Sequence, residues 1–163
     1  MESENVNRRD SIHEWESDGY TISTDKCRLN LDVVHGFLST CYWAAGIPRD
    51  TVERSIEESL VFGMYLASRQ VGFARVITDF ATFGYLADVF ILKEFRGKGL
   101  GKALVEAIVF HQELQGFRRW LLGTRDAHGL YEKFGFKPLS APERLMEIWN
   151  ADIYLQSGPT IGR

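Results

Sequence analysis

The pattern of apolar and polar residues changes its period in the middle of the chain. Residues 88–92, Asp-Val-Phe-Ile-Leu, form an apolar run rich in β-favouring side chains. After a charged connection and three closely spaced glycines, apolar residues recur from Leu100 to Leu114 at helical spacing. The pattern predicts a strand, a glycine turn and an amphipathic helix that starts near residue 99 and ends before Gly116.

The remaining elements follow from the same patterns. Helical spacing predicts a first helix that Asn30 caps and a second helix that starts at Pro48. Apolar runs predict strands at residues 20–24, 60–67, 70–78, 82–92 and 118–123, a short helix at 126–134 and a last strand that starts at Phe136. Residues 1–17 are charged and aperiodic, so we expect a loose tail followed by a single domain over residues 18–163.

The order of these elements indicates the fold class. Three consecutive strands with short connections are expected to be antiparallel. The strand at 118–123 follows a crossover helix and is therefore expected to run parallel to the strand before that helix. We predict an α/β fold around a mixed, mostly antiparallel sheet.

Composition narrows the functional classes. Of 163 residues, 45% are apolar and 25% charged, which is ordinary for a globular protein. The net charge of −3 argues against a nucleic-acid surface. No apolar run reaches the ~18 residues of a membrane span, and the polar first ten residues lack the apolar core of a signal peptide. We expect a cytoplasmic protein with no membrane contact, with reduced thiols at Cys27 and Cys41 and no metal site.

The glycine turn has the features of an anion site. A helix start presents N–H groups that lack intrahelical partners, and the helix dipole makes that end positive. Gly97, Gly99 and Gly101 leave these donors open, while Arg96 and Lys98 add mobile positive charge. The spacing fits neither a Walker A loop nor a dinucleotide fingerprint, because Ala103 follows Gly101-Lys102 and Lys102 occupies the position of the third fingerprint glycine.

Two motifs resemble those of a known family. Arg96-Gly-Lys-Gly-Leu-Gly101 fits Arg/Gln-x-x-Gly-x-Gly/Ala, the coenzyme A pyrophosphate signature of the GCN5-related N-acetyltransferases (GNAT superfamily). Leu130-Tyr-Glu-Lys-Phe-Gly-Phe136 matches a second motif of that superfamily. The resemblance covers residues from about 20 to 150. It implies helices on both faces of the sheet and a V-shaped splay between two parallel strands.

The resemblance also implies where acetyl-CoA binds. The main chain around Val89 and Ile91 would contact pantetheine as a pseudo-strand. Thr124, where relatives often have Asn, and Ala127 would lie beside it. The implied coenzyme residues are Val89, Phe90, Ile91, Arg96, Gly97, Lys98, Gly99, Leu100, Gly101, Lys102, Thr124, Ala127 and Tyr131.

Two residues are candidates for proton transfer. By resemblance, Tyr131 lies near the coenzyme sulfur and would protonate the leaving thiolate; the alternative is a tyrosine that only packs in the core. Some relatives place a glutamate base where this chain has Ala87. Asp88 is the neighbouring candidate base if a bulge changes the parity of the strand, and otherwise an ion-pair residue. A water chain could serve instead.

The sequence leaves the acceptor open. His128, three residues before Tyr131, is a candidate with a surface or capping role as its alternative. An aromatic group could form the acceptor wall or simply pack: Tyr42, Trp43, Phe80, Phe83 and Tyr85. We expect direct acetyl transfer to a primary amine of a small molecule or protein, with a non-catalytic coenzyme A sensor as the alternative. Homodimers are frequent in the superfamily and are a further possibility here.

Overall fold

The computed structural model describes residues 8–155, which form one six-stranded sheet with helices on both faces. The strands lie in chain order and are β1 (Glu14–Ser17), β2 (Tyr20–Ser23), β3 (Leu60–Leu66), β4 (Arg69–Thr78), β5 (Phe83–Ile91) and β6 (Arg119–Leu122). Strands β1 to β5 pair antiparallel, and β6 pairs parallel to β5. The predicted mixed, mostly antiparallel sheet is confirmed.

Four helices accompany the sheet: α1 (Leu31–Leu38), α2 (Arg49–Glu57), α3 (Leu100–Val109) and α4 (His128–Glu132). The predicted cap of α1 is confirmed, because the Asn30 side chain accepts from two N–H groups of the first turn at 3.0 and 3.3 Å. Helix α3 is shorter than predicted. His111 Nδ1 accepts from the Glu113 N–H at 3.1 Å, and residues Gln112–Leu114 form a separate 3-10 turn.

The N-terminal segment differs from the prediction. The expected loose tail is wrong for residues 14–17, because β1 pairs with β2 across a tight turn. Asp18 and Gly19 both have positive φ, 49° and 81°, as a two-residue hairpin turn requires. Trp15 secures β1 by stacking on Phe62 with ring centroids 6.1 Å apart. The rest of the predicted tail, residues 1–7, lies outside the described residues.

The C-terminal part also differs. The last strand, predicted from Phe136, is not formed within the described residues, and β6 is consequently an edge of the described sheet. Pro138 has no N–H to donate to a ladder, which weakens this stretch as a strand. Phe136 instead packs edge-to-face on Trp120, with centroids 6.3 Å apart.

The sheet separates two apolar cores. One core lies between the sheet and α3, where Leu104 and Ile108 are fully buried. The other lies between the sheet and the pair α1 and α2, where Phe73 and Phe90 meet buried side chains of both helices. None of the helices between residues 8 and 155 combines the length and apolar character that a membrane crossing requires.

Strands β5 and β6 diverge, as predicted. Their ladder joins residues 83–86 to residues 119–122 and goes no further. A bulge follows in β5, where the β4 register shifts and Asp88 has a φ of 55°. The bulge changes strand parity, because Leu86 and Ile91 lie in the same core although they are five residues apart. A V-shaped gap therefore opens beside residues 87–91.

Candidate functional site

A cavity of about 560 Å³, here called the splay cavity, opens where β5 and β6 diverge. Its walls come from the end of β5, the glycine loop, the start of α4 and the loop between α1 and α2. Of the predicted coenzyme residues it is lined by Val89, Phe90, Ile91, Arg96, Gly97, Gly99, Leu100, Gly101, Ala127 and Tyr131. Distant segments of the chain thus meet at one site.

The main chain of β5 supplies polar groups to this cavity. The Leu92 N–H donates to the Val71 carbonyl of β4 at 2.8 Å. Since successive peptide groups of a strand alternate in direction, the Ile91 N–H and carbonyl and the Val89 carbonyl face away from β4, into the gap. Arg96 Nε already donates to the Ile91 carbonyl at 2.9 Å. The Ile91 N–H and the Val89 carbonyl remain for a ligand. Phe90 also lines the cavity, and its ring stacks on Phe37 with centroids 3.9 Å apart.

The glycine loop presents free donors. Gly97 and Gly99 have φ of 78° and 77°, a left-handed conformation that favours glycine. Gly99 is the N-cap of α3, and no side chain in the described part of the protein caps this end. The first backbone bond back into the loop runs from the Ala103 N–H to the Gly99 carbonyl, at 3.1 Å. A Cβ built on Gly97 or Gly99 would meet no protein atom within 4 Å.

The charges around the loop are arranged differently from the prediction. Arg96 is exposed, but its Nε donates to the Ile91 carbonyl at the end of β5. Lys98 is exposed and holds its Nζ 5.5 Å from the centroid of the Phe95 ring. Lys98 and Lys102 lie outside the walls of the splay cavity. Arg96 therefore combines a structural contact with positive charge at the loop, and the two lysines contribute charge from its exposed side.

Tyr131 lies at the centre of the site. Its side chain is 8% exposed and lines the splay cavity. Burial, together with the neighbouring Tyr42, raises the pKa of Tyr131 to about 12. The ring makes an edge contact with Phe136, with centroids 6.0 Å apart. Tyr131 therefore keeps its proton at physiological pH and has one available to donate.

Thr124 lies apart from the other predicted coenzyme residues. It lines a second cavity of about 500 Å³, here called the edge cavity, which lies beside β6 and shares Tyr131 as a wall. Its hydroxyl accepts from the Ala127 N–H at 3.1 Å. His128 also lines the edge cavity and is exposed. The structure therefore gives Thr124 a role in the turn before α4 and places His128 away from the splay cavity.

Asp88 is held by two hydrogen bonds. Arg75 Nε donates to one carboxylate oxygen at 2.6 Å, and Trp43 Nε1 donates to the other at 3.0 Å. Both members of the ion pair are largely buried. Asp88 was predicted to be a base if a bulge changed the parity of the strand, and the bulge is present. The carboxylate nevertheless forms the ion pair that was the alternative to a base role. A base role would require it to release one of these partners, and this role stays a prediction.

The loop between α1 and α2 crosses the cavity. Residues 41–46, here called the strap, contact both of its sides. The Tyr42 hydroxyl accepts from the Arg125 N–H at 3.2 Å, and the Arg125 guanidinium lies 3.9 Å above the Tyr42 ring. On the other side, Trp43 donates to Asp88. Of the predicted aromatic group, Tyr42 and Trp43 line the splay cavity, whereas Phe80, Phe83 and Tyr85 are not among its walls.

Arg75 and Arg125 were missed by the sequence analysis. The signal that could have marked Arg75 is its charge among the apolar residues of a buried strand, because a buried charge calls for a partner. Arg125 directly follows Thr124 and could have been considered with the second motif.

The cavity contains a thiol, but that thiol is poorly suited to nucleophilic attack. Cys41 lines the splay cavity and its Sγ donates to the Leu38 carbonyl at 3.1 Å. Burial raises the pKa of the Cys41 thiol, so little thiolate is present near neutral pH. Among residues 8–155, no group of three or more His, Cys, Asp or Glu side chains could hold a metal ion.

Comparisons with known proteins agree with this geometry. The family profile described as an acetyltransferase (GNAT) domain matches residues 57–138. A provisionally named acetyltransferase of Gibberella zeae is 33% identical, over 73% of this chain and 79% of that protein.

Solved structures of acetyltransferases are also similar to this chain. A provisionally named GNAT acetyltransferase of Xanthomonas campestris pv. campestris is 47% identical, with a TM-score of 0.82 over 85% of this chain and 99% of that one. A GNAT family acetyltransferase of Elizabethkingia anophelis, solved with acetyl-CoA bound, shares the fold at 14% identity. Its TM-score is 0.57, over 82% of this chain and 90% of that one. The chain belongs to the GNAT family of acetyltransferases.

Proposed function

We propose that the protein is an N-acetyltransferase that moves the acetyl group of acetyl-CoA directly to a primary amine. The observation that carries this proposal is the meeting of three features at the splay cavity. These are the uncapped glycine loop, the unpaired edge of β5 and the buried hydroxyl group of Tyr131.

The glycine loop suits the diphosphate of acetyl-CoA. An anion at the start of α3 would accept hydrogen bonds from N–H groups that no described side chain caps. The open space over Gly97 and Gly99 would let phosphate oxygens approach the backbone. The Elizabethkingia acetyltransferase, which shares this fold and was solved with acetyl-CoA bound, supports the assignment.

The pantetheine arm would lie along β5. An amide of the arm would accept from the Ile91 N–H, and another would donate to the Val89 carbonyl. This position extends from the glycine loop toward Tyr131 and the strap, so the thioester would come to rest between them. The gap between the two diverging parallel strands gives the arm room that a fully hydrogen-bonded sheet would not leave.

The chemistry balances without an acyl-enzyme. The neutral amine nitrogen attacks the thioester carbonyl carbon, the C–N bond forms, and collapse of the tetrahedral intermediate breaks the C–S bond. Tyr131 donates its hydroxyl proton to the leaving thiolate and recovers a proton from solvent. The acceptor nitrogen loses two protons to water: the ammonium loses one before the attack, a step that costs roughly 4.6 kcal/mol at pH 7 for an amine of pKa about 10.4, and the nitrogen loses the other after the C–N bond has formed. The raised pKa of Cys41 supports direct transfer.

A non-catalytic coenzyme A sensor is the second candidate. The observation in its favour is that the candidate base, Asp88, is bound by two partners. Thiol release separates the two functions: the protein is incubated with acetyl-CoA and a panel of polyamines, amino sugars and peptide amines. The enzyme releases free thiol only when an acceptor amine is present. A sensor binds acetyl-CoA in calorimetry and releases none with any amine.

A further inference from the structure

One wall of the splay cavity is a continuous group of aromatic rings. Phe37, Tyr42, Trp43 and Phe90 all line the cavity. The Trp43 ring lies 6.0 Å from the Phe37 ring and makes an edge contact with Tyr42 at 5.0 Å, measured between centroids. Tyr42 is 50% exposed and Trp43 is 42% exposed, so part of each ring is open to an incoming molecule.

A chain of buried polar groups holds Trp43 in this wall. The indole Nε1 donates to Asp88, Arg75 Nε donates to the same carboxylate, and Arg75 Nη1 donates to the Ser59 hydroxyl at 3.2 Å. Asp88 is not among the described walls of the cavity. Its left-handed φ of 55° is strained for a residue other than glycine, and such strain concentrates at functional sites. The carboxylate therefore faces the indole that it fixes, and the indole faces the cavity.

The charged walls of the splay cavity already have partners. Three charged residues line it: Arg96, Arg125 and Asp126. Arg96 Nε donates to the main chain of β5, and Arg125 pairs with Asp126 at 3.6 Å. Asp126 is the only carboxylate among the described walls, so the cavity offers no unpaired carboxylate to a second ammonium group of an acceptor.

We propose that Trp43 selects the acceptor, and that the acceptor is a primary amine attached to an aromatic or other apolar group without a second positive charge. This inference rests on the acetyl-transfer proposal, which places the thioester between Tyr131 and the strap and leaves the aromatic wall for the acceptor. An aromatic ring packed on Trp43 would leave water and gain the edge or offset contact that aromatic pairs favour. Asp88 is then a positioning residue that acts through Trp43.

A polyamine is the opposing candidate, because an ammonium group can also bind to the face of an indole ring. Two contacts of this site disfavour it. The Arg125 guanidinium already lies 3.9 Å from the centroid of the Tyr42 ring, beside Trp43, so a second cation would approach a like charge. The carboxylate behind Trp43 is neutralised by Arg75 at 2.6 Å.

Three amines with the same four-carbon chain separate these classes: butylamine, 4-phenylbutylamine and 1,4-diaminobutane. Thiol release at saturating acetyl-CoA gives kcat/KM for each amine. We expect 4-phenylbutylamine to exceed butylamine by at least about tenfold and 1,4-diaminobutane not to exceed butylamine. Calorimetry on protein saturated with free coenzyme A, which has no acetyl group to transfer, gives the Kd of each amine without turnover. The Kd values should follow the same order.

Variants test the two roles. Trp43→Ala should abolish the preference for 4-phenylbutylamine over butylamine, through KM more than through kcat. Trp43→Phe keeps a ring but loses the hydrogen bond to Asp88, so it should retain only part of the preference. Asp88→Ala should lower the preference as Trp43→Phe does. Asp88→Asn keeps an oxygen that can accept from the indole N–H and should restore it. Phe110→Ala is the matched control and should keep the preference, because Phe110 is exposed at the end of α3 and lies outside the cavity walls.

Acetyl-CoA binding in calorimetry verifies that each variant is folded, and Trp43→Phe tests the hydrogen bond even where Asp88→Ala does not fold. Equal values for 4-phenylbutylamine and butylamine, a preference for 1,4-diaminobutane, or a preference that survives Trp43→Ala would each overturn the selection by Trp43. A Trp43→Phe variant with the full preference would overturn the positioning role of Asp88. Absence of thiol release with every amine, while the Kd values keep the expected order, would contradict acetyl transfer and leave the amine selectivity standing.

Discussion

Replacing Tyr131 by Phe removes one hydroxyl group and keeps the ring that packs against Phe136. The hydroxyl belongs to a side chain that is only 8% exposed, so bulk water has little access to replace it as a donor. General acid catalysis contributes about 10²- to 10⁴-fold to rate, or about 2.7–5.5 kcal/mol of activation free energy. We expect kcat to fall about 10³-fold, because the thiolate would leave without a proton.

The assay separates this effect from binding. Thiol release gives kcat and KM for acetyl-CoA, and calorimetry gives its Kd for both proteins. We expect Kd to change less than about threefold, since the hydroxyl contributes chiefly in the transition state. A kcat within about threefold of wild type would refute the role of Tyr131 as proton donor. An equal loss in kcat and acetyl-CoA affinity would assign the hydroxyl to binding.

The pKa of Tyr131 adds a pH signature. The donor is active while protonated, and its pKa of about 12 means that it keeps its proton well above pH 10. The rate should therefore still rise through pH 10, because an acceptor amine of pKa about 10.4 is still losing its proton there. An unshifted tyrosine, with a pKa near 10, would be half deprotonated at pH 10 and would halve the rate at that pH. A falling limb centred at pH 10 that disappears in Tyr131→Phe would contradict the buried environment described here.

Three further predictions concern the glycine loop, the ion pair and a buried histidine. Gly99→Leu should lower acetyl-CoA affinity at least about tenfold in calorimetry. Gly116→Leu is the control, because Gly116 has a similar φ of 79° and equally open space, so the backbone strain should be comparable, about 1–2 kcal/mol. This control should leave acetyl-CoA affinity unchanged. Equal acetyl-CoA affinities of the two variants would contradict the assignment of the glycine loop. Asp88→Ala should lower the free energy of unfolding by roughly 3 kcal/mol, because it leaves the Arg75 charge buried without its partner. A companion Asp88→Asn variant that stays folded but loses more than 100-fold in kcat would establish Asp88 as the base. Burial, and secondarily a neighbouring histidine, lowers the pKa of His111 to about 4, and its side chain is 1% exposed. The unfolded chain therefore takes up the proton first as pH falls from about 6.5 to 4, and unfolding free energy should decrease by roughly 3 kcal/mol over that window. Urea titrations at several pH values should show this slope in wild type and a flatter one in His111→Asn.

Local sequence signals were sufficient for most of the fold. The period change near residue 99 located the glycine loop and the start of α3, and Asn30 correctly marked the start of α1. These features depend on residues close in sequence. The order of strands then followed from connection lengths, and the splay followed from the family resemblance.

The errors arose where distant contacts or turn chemistry decide the structure. Strand β1 was missed because its charged pattern hides Trp15, although Asp18-Gly19 is a recognisable hairpin signal. The strand predicted at Phe136 depended on pairing that the chain does not make, and Pro138 was given too little weight.

In the candidate site too, features formed by residues close in sequence were predicted, and features formed by distant contacts were not. The residues of the glycine loop are contiguous, so their spacing predicted one surface. The partners of Asp88, in contrast, come from β4 and the strap, which are 13 and 45 residues away in sequence. No local pattern predicts such a pairing. The Thr124 hydroxyl likewise accepts from the Ala127 N–H because of the geometry of the turn before α4, which the sequence motif did not predict.

The central claim is that the backbone donors between Arg96 and Lys102 hold the diphosphate of acetyl-CoA while its arm follows β5 toward Tyr131. The most direct test is a crystal structure of the protein with saturating acetyl-CoA. The account predicts phosphate oxygens within hydrogen-bond distance of loop N–H groups, an arm amide at the Ile91 N–H and the thioester sulfur beside the Tyr131 hydroxyl. Acetyl-CoA bound in the edge cavity, or no bound molecule at saturation, would contradict it.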